Sequence, residues 1–78
     1  MREMTNGTST LKVTAHMMLR NMWEYYVCEV NGDIAFALVV GFETEMGDIY
    51  LPELKPHVLS LTKKLDDLMP APGWSWVE

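Results

Sequence analysis

A chain of 78 residues with 49% hydrophobic and 22% charged side chains has room for one domain and the composition of one that folds. Eleven Asp and Glu against six Lys and Arg leave a net charge of −5. That excludes direct binding of nucleic-acid phosphates and makes a basic protein surface the natural electrostatic partner.

The longest uncharged apolar run, Ile34 to Phe42, falls well short of the roughly 20 residues of a membrane span, so no membrane is expected as a partner. The opening MREMTNGTSTLK lacks the apolar stretch of a secretory signal. The single cysteine, Cys28, has no partner for an internal disulfide and fits a reducing compartment. The expectation is a single cytoplasmic domain over 1–78, with residues 1–10 and 70–78 as loosely ordered tails.

In chain order, Thr14 stands where it would cap a short helix over Ala15 to Met22, with Met18 and Met22 one turn apart. From Trp23 the residues turn β-branched and aromatic. WEYYVCEV, Asn31-Gly32 and IAFALVVGF together predict an antiparallel hairpin. A two-residue Asn-Gly turn sets Val30 opposite Asp33, Tyr25 opposite Leu38 and Trp23 opposite Val40. Trp23, Tyr25, Val27, Phe36, Leu38 and Val40 then gather on one face.

A second turn near Met46-Gly47 returns Ile49 to Leu51 alongside, and Pro52 ends that strand. Beyond it, Leu54, Val58, Leu61, Leu65 and Leu68 recur at helical spacing, predicting an amphipathic helix that ends at Pro70. The predicted fold class is α+β: a three-stranded antiparallel meander with a short N-terminal helix and an amphipathic C-terminal helix packed on one face, in the order α-β-β-β-α.

The stretch Leu38 to Leu54, LVVGFETEMGDIYLPEL, resembles a family of uncharacterised domains encoded on plasmids and phages, whose signature runs close to LVVG-x-ETELG. WEYYVCE looks like the aromatic strand that leads into that family's hairpin, and the likeness extends over Trp23 to Leu54. Asp48-Ile49 replaces the aromatic pair of the signature, and the chain beyond Leu54 diverges. The resemblance implies a mobile-element origin. In size and acidity the chain is also similar, as a class, to small anti-CRISPR proteins.

Charge is unevenly spread. Between Arg20 and Lys55 lie Glu24, Glu29, Asp33, Glu43, Glu45, Asp48 and Glu53 with no Lys or Arg, a charge of −7, while the remainder carries +2. Like charges this close call for an offset: solvent screening with contacts from Arg20, Lys63 or Lys64, a basic partner, or a divalent cation on Glu43, Glu45 and Asp48. No calcium-loop spacing supports the cation, and His16, Cys28 and His57 lack zinc-site spacing. There is no phosphate-binding glycine loop and no nucleophile with a base beside it. Hence no metal, no cofactor and no enzymatic activity are expected.

Trp74 and Trp76 share one side of the tail, either folding back on the sheet or anchoring a partner. The expected partner-binding residues are Glu24, Glu43, Glu45, Asp48, Glu53, Trp74 and Trp76. The function they predict is that of a small acidic interaction or inhibitor protein of a phage or mobile element, acting in the host cytosol. It would block the nucleic-acid-binding surface of a host defence complex, its target a host protein with a basic surface such as a CRISPR effector subunit, with the chain itself a monomer or weak homodimer. The competing reading is an accessory docking module that works through an open sheet face or the Trp tail, which truncation after Met69 would expose.

Overall fold

Strand alternation, and not helical periodicity, governs both ends of this chain. The computed structural model describes residues 1–78 and is 54% strand and 9% helical, with two antiparallel sheets. The predicted α-β-β-β-α arrangement is therefore corrected to a mostly β fold.

Strands β1 (Arg2–Thr5) and β2 (Thr10–Val13) form a hairpin. Asn6 Oδ1 holds its turn by accepting the backbone N–H groups of Thr8 and Ser9. Thr14 is a pivot and not a helix cap: its N–H and its hydroxyl both donate to Val27 O, and the hydroxyl also donates to Cys28 O. The chain turns there into β3 (Ala15–Leu19), where a helix was expected. Ala15, Met17 and Leu19 are buried toward one side and His16 toward the other, so the segment lies between covered faces as a central strand must. Met22, the other half of the helical spacing, sits in the following turn with φ at 71°.

Strands β4 (Glu24–Asn31) and β5 (Ile34–Val40) form the predicted hairpin with a different register. Asn31 pairs with Ile34, so the turn is Gly32-Asp33 and not Asn31-Gly32. That displacement alone moves partners by two residues and keeps each face together. An irregularity between Val27 and Val30 adds the single step that exchanges faces, bringing Tyr25 opposite Val39 and Tyr26 opposite Leu38. The expected face of six large residues is thereby divided between two cores.

The turn after β5 falls at Gly41 to Glu43, where Gly41 N–H donates to Glu43 O at 3.0 Å, five residues before the expected position. Strand β6 (Thr44–Tyr50) then pairs along all of β5, with Gly47 opposite Ala37. The predicted C-terminal helix is absent. In its place are one helical turn, α1 (Leu51–Leu54), a 3-10 turn (Lys55–His57) and strand β7 (Val58–Thr62), which pairs with β3. Its leucine stripe serves two sides of the sheet: Leu54 and Val58 pack in one core, Leu65 and Leu68 in the other, and Leu61 is exposed. Strand β8 (Ser75–Trp76) closes the chain against β1.

The sheets run β2-β1-β8 and β6-β5-β4-β3-β7. Between them lies a core of Met4, Val13, Tyr26, Cys28, Leu38, Leu65 and Ala71. The opposite face of the larger sheet holds Ala15, Met17, Leu19, Tyr25, Val27 and Ala35, covered by Leu51, Leu54 and Val58. The chain crosses from one edge of the five-stranded sheet to the other through Leu51–His57. A helical turn and a 3-10 turn span only about 12 Å, against about 19 Å for a flat sheet of that width. The sheet is therefore curled around this second core, and β6 and β7 are its two free edges.

Candidate functional site

The seven expected binding residues fall into three groups. Glu24, at the start of β4, faces inward to His16, whose Nε2–H donates to Glu24 Oε1 at 2.9 Å. His16 is only 4% exposed and packs edge-on against Tyr26, so this pair belongs to the core wall. Trp74 and Trp76 also turn inward. The Trp76 indole N–H donates to Leu68 O at 2.6 Å, and its ring lies 4.4 Å under the Arg2 guanidinium. Val77 N–H donates to Glu3 O, and Trp74, like Trp76, packs on the core between the sheets. Of the two alternatives for the Trp pair, the geometry is that of folding back on the sheet.

The third group is at the surface. Glu43 is in the β5–β6 turn, Glu45 and Asp48 are on β6, and Glu53 is in α1. Glu43, Glu45 and Asp48 do not cluster at one turn as expected but are strung along an edge strand. Glu45 stands opposite Val39 and Asp48 opposite Phe36, so the two point to opposite faces. Glu53 lies apart, in a recess with Arg20, Asn21 and His57.

Backbone hydrogen bonds at both ends of β6 fix which of its groups are used. Gly41 N–H donates to Glu43 O and Leu51 N–H to Asp33 O, so Glu43 and Leu51 face β5. By antiparallel alternation Glu45, Gly47 and Ile49 bond to β5 as well. The N–H and C=O groups of Thr44, Met46, Asp48 and Tyr50 point away from it, where no further strand follows. Met46 and Tyr50 are 48% and 50% exposed along this open edge.

A recess flanks the edge on each face. One is lined by Trp23, Val39, Phe42, Glu43 and Glu45. Trp23 there covers Gly41, and Phe42 stands edge-on to the Trp23 ring at 5.4 Å while remaining 95% exposed. The other is lined by Glu29, Asn31, Ile34, Phe36 and Asp48. Each therefore combines two carboxylates with aromatic carbon. Glu29, Phe42, Met46 and Tyr50 are members that sequence reasoning did not select. Glu29 lines one recess with Asp48 because the turn register of β4 and β5 carries it toward Phe36, which stands opposite Asp48 on β6. The second turn expected at Met46-Gly47 did not align Asp48 with Phe36.

His16 and Glu24 make the only contact at ion-pair distance between a basic and an acidic side chain. The expected ion-pair contacts from Arg20, Lys63 or Lys64 are thus not made, and Glu43, Glu45 and Asp48 form no ion pair within the molecule. No three His, Cys, Asp or Glu side chains converge where they would hold a metal ion.

Burial pushes the Tyr26 hydroxyl up to about 12, with the nearby Glu24 carboxylate adding to the shift. Burial likewise raises Tyr25 and the Cys28 thiol, so neither Cys28 nor the tyrosines is activated as a nucleophile. No helix is long and apolar enough to cross a membrane. Comparison with protein-family models, with curated proteins and with solved structures finds no match to this chain.

Proposed function

We propose that this chain is an acidic interaction protein whose β6 side occupies a basic surface on another protein, of the kind that otherwise holds nucleic-acid phosphates. The observation that carries the reading is the unpaired charge on β6: Glu43, Glu45 and Asp48 form no ion pair in a molecule with six Lys and Arg available. Carboxylates left unpaired and solvent-facing contribute little to folding. Across an interface, by contrast, they steer association with a basic surface and select against acidic ones. An inhibitor acting in the cytosol on a nucleic-acid-binding complex, as the likeness to small anti-CRISPR proteins implies, is the specific form proposed.

The test is the triple variant Glu43→Lys, Glu45→Lys, Asp48→Lys, used as bait beside the unaltered chain in host lysate. The account expects the unaltered chain to capture a partner that added single-stranded DNA or RNA displaces. It expects the variant to capture none of that partner while its thermal midpoint stays within about 3 °C. Equal capture by the variant, or a complex indifferent to nucleic acid, contradicts the reading.

A further inference from the structure

Strand β6 is the one sheet edge in this molecule protected by no shortness, bulge, proline or lysine. Folded proteins protect their edges with short strands, bulges, prolines and lysines. Here β8 has two residues, β2 has four and carries Lys12, and β7 follows Pro56, meets an irregularity in its pairing and runs into Lys63 and Lys64. Strand β6 has seven residues in unbroken register, no proline, no lysine, and Gly47 at its centre. Its only protection is negative charge, which repels a second copy of itself and attracts a strand of opposite sign.

Resting on the proposed function, we infer that the β6 edge takes up an extended, basic segment of its partner as an added strand. Two Lys or Arg side chains of that segment, on opposite faces, would enter the recesses at Glu43/Glu45 and Glu29/Asp48. The outward N–H and C=O groups of Thr44, Met46 and Asp48, with the N–H of Tyr50, supply the ladder; the Tyr50 C=O caps α1 instead. Side chains of an added strand alternate between faces, and the two recesses lie on alternate faces, so the spacing of acids along β6 matches the geometry of a strand. In each recess an aromatic surface covers the aliphatic stem of a lysine or arginine while a carboxylate pair meets its head: Trp23 and Phe42 in one, Phe36 in the other.

The probe is an extended peptide of about eight residues, with lysines placed to face Glu45 and Asp48 and valines to face Met46 and Tyr50. Two N-methylated forms accompany it, one blocking the N–H groups that would face β6 and the other blocking those that face away. Labelled-peptide anisotropy at low salt should give similar affinity for the parent and the outward-blocked form. The inward-blocked form should bind at least about tenfold more weakly, since it forfeits several ladder bonds. Amide exchange at Met46 and Asp48 should slow when the parent peptide binds.

Equal binding of all three forms, lost on Glu45→Lys/Asp48→Lys, overturns strand addition and leaves the acidic-surface reading standing. No binding of any form overturns strand addition too, and capture by the triple variant then decides the broader reading separately. Slow exchange at Met46 and Asp48 that grows with protein concentration and without peptide overturns the proposal in favour of a second copy at the edge.

Discussion

At the residue scale, burial accounts for the groups whose chemistry is altered. Tyr26 is 2% exposed and its hydroxyl donates to Met69 O at 3.0 Å, so its neutral form is held in the folded chain. An unfolded tyrosine ionises near pH 10, against about 12 for Tyr26 in the fold. Between those values the unfolded state has released a proton that the folded state keeps. Stability from this group is therefore complete below about pH 10 and is lost progressively as pH rises toward 12. Urea midpoints measured from pH 8 upward should be level and then decline through that window, and decline less in Tyr26→Phe; a level midpoint throughout contradicts the assignment. Gly41 offers a second test. A methyl group added there would meet the Trp23 ring at 2.7 Å, so Gly41→Ala should cost about 1–3 kcal/mol in chemical denaturation, and an unchanged midpoint would show that Trp23 does not pack over the turn.

At the scale of elements, the hairpin was legible and its surroundings were not. A β-branched and aromatic run, a Gly-containing turn and a second apolar run identify β4 and β5 from local chemistry alone. The register was not legible, because one irregular residue in β4 depends on what each face must bury. Ala15 to Met22 and Leu54 to Leu68 were misread for different reasons: in the first, Met22 is an exposed turn residue and Ala15, Met17 and Leu19 alternate into one core, and in the second one stripe is shared between cores. A residue every third or fourth position matches a helix, but a chain that serves two cores in turn produces the same spacing: Leu54 and Val58 go to one and Leu65 and Leu68 to the other. In β3, burial on both faces overrode the periodic pattern.

The tail shows the same dependence on distant contacts. Ala71 is buried, Trp74 packs on the core, and Trp76 pairs with β1 and fills space beside Tyr26. Truncation after Met69 removes core and not merely an anchor, so the loss of association it was expected to report would be confounded by unfolding. Deleting 70–78 should cost at least about 3 kcal/mol, as removal of large core side chains does, and should collapse amide dispersion. A truncated chain that keeps a cooperative melt at the same midpoint contradicts this packing.

At the scale of the whole molecule, the Cα radius of gyration is 11.6 Å, close to the roughly 11.5 Å expected for a compact chain of this length. Two small cores share one curled sheet, and the charge is polarised across it. The surplus of acids between Arg20 and Lys55 was readable from the sequence, because it needs only counting. Its arrangement was not, since Glu24 turns inward to His16 while Glu29 on β4 lines one recess with Asp48 on β6, across β5. What the fold adds is a direction: the acids border an open strand whose backbone is unpaired on its outer side.

That open edge is the central claim, and residue-resolved amide hydrogen exchange on the free protein tests it most directly. Glu45, Gly47 and Ile49, bonded to β5, should exchange slowly, while Thr44, Met46, Asp48 and Tyr50 should exchange at rates close to those of an unstructured chain. Uniform protection along Thr44–Tyr50 in the dilute protein would show the edge to be covered and would contradict the account.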